Sequence, residues 1–178
     1  MAKKKRKINK RKATRRKEKS GLINYIKKDN KKLNWFVFIS CLVVVFIVAA
    51  IGSMFTDTGA WYESIKPSIS PPNYVFPIVW TILFYFIAVS LYYSWLALNK
   101  KKVMIYYGIN FILNILWSYL FFTMKNPSFA FIDIIVLWFS IMFLIVFSWK
   151  KSETASYLLI PYLLWVSFAT ILNYLIIA

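Results

Sequence analysis

Apolar residues along this chain gather into five long blocks, at roughly 34–54, 76–98, 103–124, 127–149 and 154–177. Beyond the first 33 residues, the charges other than Asp133 fall in short clusters between the blocks. Each block is close to the ~20 residues needed to cross a ~30 Å hydrocarbon core. Lipid offers no partners to backbone N–H and C=O groups, so each block is predicted to be a helix. A β-barrel would show alternating segments of about ten residues, and none is seen. The first block exceeds the apolar run of about 7–15 residues in a signal peptide, so it is expected to be a retained span that also directs insertion. The predicted class is all-α, an integral membrane bundle of five transmembrane helices over residues 34–178.

Composition agrees, with 60% hydrophobic and 20% aromatic residues, well above a soluble norm. Charge divides the chain. Residues 1–33 hold 16 of the 23 Lys and Arg against Glu18 and Asp29, and so carry +14 of the formal +17. This arm is too poor in apolar residues to form a core and is expected to be disordered, at least through Ser20-Gly21. Leu22-Ile23-Asn24-Tyr25-Ile26 could open a short interfacial helix. The arm suits an anionic leaflet, at about 1 kcal/mol per basic residue near the surface. Lys3-Lys4-Lys5-Arg6-Lys7 is similar to a nuclear-import run. No aromatics interleave it for base stacking, however, and nucleic acid is not an expected partner.

Basic links set the predicted orientation. The arm, Lys100-Lys101-Lys102 and Lys150-Lys151 fall on one side if five spans alternate. The Trp61–Trp80 loop and Lys125 fall on the other. The N-terminus is therefore expected inside and the C-terminus outside. Richness in Lys, Ile and Asn points to an AT-rich microbial genome and a bacterial cytoplasmic membrane.

Candidate chemistry is narrow. With no histidine, the commonest general base, metal ligand and haem ligand are missing. The one cysteine, Cys41, lies inside the first span, permits no intrachain disulfide and reads as a small apolar filler. There is no Gly-rich phosphate loop and no Cys/His metal spacing. No catalytic group, metal or required cofactor is expected.

The loop between the first two spans is unusual. Trp61, Tyr62, Tyr74 and Trp80 accompany Pro67, Pro71, Pro72 and Pro77. Proline fixes φ and lacks an N–H, so the segment is stiff and avoids regular ladders. In the third span Asn110, Asn114 and Trp117 fall at i, i+4 and i+7. In the fifth, Trp165, Ala169 and Asn173 fall at i, i+4 and i+8, so each set shares a helix face. Together with Trp80 they can converge on an outward-opening cavity. Aromatic planes suit a flat molecule, and amides suit its polar edge. On periodicity alone another reading stands beside this one: Asn as interhelical hydrogen-bonding groups and Trp and Tyr as interfacial anchors.

W-Y-x-x-x-K-P-x-x-x-P-P from Trp61, the following V-W-T-x-L-F, the Asn110–Phe122 segment and the Pro161–Asn173 segment closely resemble the TspO family. This is the tryptophan-rich sensory protein family, whose animal members are the translocator protein or peripheral-type benzodiazepine receptor. The resemblance runs from about residue 34 to the end. It implies a five-helix bundle that often forms a homodimer, with a pocket opening toward the first loop. It implies porphyrins such as protoporphyrin IX as ligands, with other tetrapyrroles, and cholesterol or benzodiazepine-type drugs in some members. By that pattern Trp80, Asn114, Trp165 and Ala169 line the pocket, while Trp61 and Tyr62 cover it. Trp117 is a further lining candidate, and Pro67, Pro71 and Pro72 stiffen the cap. Asn110 and Asn173 are assigned to helix packing, and Trp35, Trp95, Trp138 and Trp149 to interface or lipid-facing positions. Asp133, the one acid within an apolar block, is expected near a hydrated interface and has no second titratable group to make a proton relay.

The implied function is a membrane sensor or regulator that binds a tetrapyrrole. Light- and oxygen-dependent porphyrin breakdown and transport of tetrapyrroles or lipids are the alternatives. No inverted repeat supports transport. No basic residue follows Tyr174, so the cholesterol association of animal members is not carried over.

Overall fold

A computed structural model describes residues 33–178. The arm expected to be disordered, with its short interfacial helix, lies apart from Leu33 outside the described residues. Helix α1 covers Trp35–Phe55, α2 Ala60–Ile65, α3 Val75–Ala97, α4 Lys100–Ser118, α5 Pro127–Trp149 and α6 Glu153–Ile177. A π turn, Tyr119–Thr123, continues α4 without a break. Counting that turn with α4, the five long helices have 21 to 25 residues. At ~1.5 Å per residue each can cross a ~30 Å core. The expected five-helix membrane bundle is the observed fold, and every regular element among the described residues is helical.

Local chemistry sets the helix ends. The third span starts at Lys100, ahead of the expected 103, because Asn99 caps it by accepting from the Lys102 N–H at 3.2 Å. Asn126 accepts from the Phe129 N–H at 3.1 Å, with Pro127 in the first turn of α5. Ser152 accepts from the Ala155 N–H at 3.4 Å. Such caps satisfy donors that a helix start leaves unpaired. The links after α3, after the π turn and after α5 are only two or three residues long, which makes consecutive helices antiparallel neighbours.

Helix α6 packs on α5 and α3, and α4 packs on α5. Their shared core includes Tyr107, Ile141, Leu159 and Tyr162, all essentially inaccessible. Helix α1 buries one stripe, Cys41, Val45, Val48 and Gly52. Its other faces, like Ile112, Val146 and Leu164, are exposed and apolar, as a lipid-facing surface requires. At the end carrying the Lys100 and Lys150 links, four helices are tied by hydroxyls. Ser90 Oγ lies 2.8 Å from Tyr107 Oη and donates to the Ala155 carbonyl at 2.7 Å. Ser94 Oγ lies 3.1 Å from Tyr107 Oη and 3.2 Å from Ser148 Oγ. The opposite end is built differently and holds a cavity.

Candidate functional site

A cavity of about 390 Å³ opens at the loop end of the bundle. Its walls come from the last turns of α1, the first turns of α3, the end of α4 with its π turn, and the second half of α6. Trp80, Asn114, Trp117, Trp165 and Ala169 all line it, as do Tyr62 and Pro67 from the loop. Trp61, Pro71 and Pro72 do not. Trp61 instead packs edge-on against Phe121 at 5.7 Å, under the Lys125 ammonium at 5.9 Å. The Pro72 carbonyl accepts from the Val75 N–H at 2.9 Å, at the start of α3. Pro72 therefore sits at the entry to α3, and Trp61 braces Phe121 of the cavity wall.

The aromatic walls hold one another. Trp80 meets Phe84 at 5.4 Å and Tyr162 at 6.1 Å. Trp165 meets Phe76 at 5.9 Å. Edge-on and offset contacts of this kind favour defined ring positions. Helix α2 closes one side: Tyr62, 6% exposed, touches Phe76, Phe121 and Phe122 at 6.4, 6.3 and 5.8 Å. Burial raises the Tyr62 phenol above its ordinary value, so it is neutral at physiological pH.

The π turn is the element that sequence reasoning missed. Its wide closure is made by the Met124 N–H on the Tyr119 carbonyl at 2.9 Å. Such turns shift the helical register. Here Phe121 and Phe122, adjacent in sequence, are both buried and both line the cavity. Trp117 stacks on Phe121 at 5.2 Å, with 23° between the planes.

Polar groups below the cavity form a directed relay. Ser140 Oγ donates to the Leu137 carbonyl at 2.7 Å, so it accepts from Asn110 Nδ2 at 2.8 Å. Asn110 Oδ1 then accepts from Tyr162 Oη at 3.4 Å, and Tyr162 Oη accepts from Asn114 Nδ2 at 3.1 Å. This chain orients the Asn114 amide and leaves its oxygen as the remaining acceptor. Asn110 is a helix-bridging group, as expected. Asn173 has two roles. It accepts from Trp117 Nε1 at 3.2 Å and donates to the Pro127 carbonyl at 2.9 Å, and it also lines the cavity.

Two assignments change. Trp138 is not merely lipid-facing, because its Nε1 donates to Ser167 Oγ on α6 at 2.8 Å. Asp133 is 6% exposed rather than hydrated, stands outside the cavity lining, and its Oδ2 has no hydrogen-bond partner among the described residues. Among the described residues, no cluster of His, Cys, Asp and Glu could hold a metal ion.

Fold and site together define a class: a polytopic membrane protein with an aromatic cavity at one end, closed on one side by a loop helix. Residues 40–178 match the model of the TspO/MBR family. The chain is 38% identical over 144 residues to the tryptophan-rich protein TspO of Chlorobaculum tepidum, covering 77% of this chain and 91% of that one. It is 36% identical over 149 residues to the protein of the same name from Archaeoglobus fulgidus, covering 81% and 97%. The translocator protein of Homo sapiens is 31% identical over 120 residues, covering 64% and 71%. The chain belongs to the TspO/MBR family of membrane sensor and translocator proteins.

Proposed function

We propose that this protein is a membrane sensor or regulator that takes a tetrapyrrole such as protoporphyrin IX into the loop-end cavity. The observation that supports it best is the pairing of two indoles, Trp80 and Trp165, with the oriented Asn114 amide around one apolar space. Indole planes offer stacking surfaces to a flat ring system, and the amide offers one directional contact. The cavity lies at the end opposite the Lys100 and Lys150 links. With those links cytoplasmic it opens outward, in a bacterial cytoplasmic membrane with the N-terminus inside. The basic arm then faces anionic lipid, and a second copy of the chain can pair in the same membrane.

Protoporphyrin IX titration of the purified protein, read by tryptophan fluorescence, tests this. Saturable quenching is expected, with affinity at least about tenfold weaker in Trp80→Ala with Trp165→Ala, on the scale of about 1 kcal/mol per lost ring contact. Unchanged affinity in the double variant removes the cavity as the porphyrin site. Illumination in air of the bound complex separates binding from breakdown: a protein-dependent product that vanishes in the same variant would make the protein an enzyme.

A further inference from the structure

One hydroxyl in the cavity wall is left free. Past the first turns of the five long helices, every other serine and threonine hydroxyl has a hydrogen-bond partner among the described residues. Most are turned back onto a carbonyl three or four residues earlier, as in Ser53, Thr81, Ser140, Ser167 and Thr170. That is the usual recourse of a hydroxyl within a helix. Ser118, the last residue of α4 before the π turn, has no partner for its hydroxyl among the described residues. It lines the cavity and is half-buried, with its oxygen still accessible. Gly52 of α1 lines the same space. A Cβ built on Gly52 would meet Ser118 Oγ at 3.9 Å and nothing else of another element within 4 Å. The glycine therefore leaves the space before this hydroxyl open. Nearby donors in the lining are engaged: Asn114 Nδ2 gives to Tyr162, Trp117 Nε1 to Asn173, and Thr56 Oγ1 to the Gly52 carbonyl at 3.0 Å.

We propose that Ser118 is a specificity-determining donor, and that the cavity selects flat ligands with an uncharged acceptor, a carbonyl oxygen or ring nitrogen, on the edge turned to Gly52 and Ser118. This deepens the reading of the cavity as a ligand site and rests on it. When a ligand displaces solvent from the cavity, the Ser118 proton loses its water partners, and an acceptor on the ligand restores the bond. A hydroxyl can also accept. In folded proteins, however, orphaned donors are rarer than under-satisfied oxygens, so the proton is the atom that asks for a partner. The indole N–H groups of Trp80 and Trp165 also lack acceptors among the described residues, so the lining as a whole has protons to give. Gly52 sets how closely the ligand edge approaches, because a longer side chain there fills the space before the hydroxyl. The indole planes suit the faces of the ligand, and Ser118 reads its edge.

Acridine and anthracene test it on the full-length protein in nanodiscs. They share one tricyclic shape and differ by a ring nitrogen in place of a C–H, and acridine is uncharged at mildly alkaline pH. Binding is read by energy transfer from tryptophan to the probe, with lipid-only nanodiscs subtracted. The ratio of the two affinities in the native chain is divided by the same ratio in Ser118→Ala, so that unequal partition into lipid cancels. The acridine preference is expected to fall about fivefold in the variant, the worth of about one neutral hydrogen bond. Anthracene binding and the ligand-free melt should not change, because the hydroxyl has no partner to lose. Gly52→Val gives an independent route and should weaken acridine at least as much as Ser118→Ala does. An unchanged ratio in Ser118→Ala, a lowered ligand-free melt in that variant, undiminished acridine binding in Gly52→Val, or no saturable binding of acridine overturns the proposal. Displacement by protoporphyrin IX is a separate arm. If it fails while Ser118 still discriminates, the tetrapyrrole reading falls and this one stands. If protoporphyrin IX binds through Trp80 and Trp165 while the probe ratio does not depend on Ser118, this one alone falls.

Discussion

At the scale of single residues, the loop end is organised by orientation more than by composition. Glu63 is an exposed carboxylate, a kind of residue that usually contributes little. Here it accepts from Asn73 Nδ2 and pairs with Lys66, tying α2 to the chain that leads into α3. The hydrogen bonds from Lys66 and then Asn73 hold the Glu63 carboxyl below the usual carboxylate range. A group so depressed stabilises the fold fully above its unfolded value. That contribution is lost as pH falls through the lowered folded value. The cation facing it is Lys66, and Tyr62 beside it on α2 is neutral. The thermal-stability difference between the native chain and Glu63→Gln should therefore be constant from neutral pH down to the ordinary glutamate range and shrink below it. Melting curves across that acid range check this. A difference that grows on acidification would contradict the clamp.

Among elements, the loop with α2 and the π turn decide the shape of the cavity, and they are unequally legible in the sequence. The five spans can be read because lipid leaves a backbone one local solution, and long apolar blocks advertise it. Helix periodicity puts Asn114 with Asn110 and Trp117 on one face and Trp165 with Ala169 and Asn173 on another, but it leaves a pocket and a packing role equally open, and it is the family resemblance that assigns Asn114, Trp165, Ala169 and Trp80 to a pocket. The π turn cannot be read, since Tyr119–Thr123 looks like ordinary helix and its extra residue is absorbed by packing. The Asn73–Glu63 hydrogen bond is equally silent, because it joins residues ten apart across an irregular loop. The prolines read as a cap, yet only Pro67 of the three assigned to it reaches the cavity. Pro71 and Pro72 act by restricting the chain that carries α2 and leads into α3. Replacing both with Gly adds about 0.4–1 kcal/mol of chain entropy per site to the states the loop must give up. Ligand release should accelerate severalfold in stopped-flow fluorescence, with the ligand-free melting temperature lowered by no more than the few degrees that this entropy explains. A large fall in that temperature would make the loop a structural support.

The whole molecule has two ends with different duties. At the lysine-link end, Tyr107 joins Ser90 and Ser94 while Ser94 reaches Ser148, so the helices are pinned by buried hydroxyls. At the loop end the same helices surround the cavity, and ring contacts of Trp80, Trp165 and Trp117 stand beside the Trp117–Asn173 and Asn173–Pro127 hydrogen bonds. Local opening is easiest where buried contacts are fewest. Binding there can order the loop end without disturbing the pinned end, which suits a protein that reports on a ligand. Two variants should separate the duties. Tyr107→Phe leaves Ser90 and Ser94 without their shared partner and should lower stability by about 0.6–2 kcal/mol, the span from typical membrane hydrogen bonds to unmade buried ones. Its ligand affinity should not change. Trp165→Ala should do the reverse, weakening the ligand with little effect on the ligand-free melt. Hydrogen exchange gives the same division in one experiment: α2 and the first turns of α3 should exchange fastest and be the segments slowed by ligand, while the start of α4 stays protected throughout. Ligand protection spread evenly over both ends would mean that the bundle responds as one body and that the cavity is not an independently ordered site.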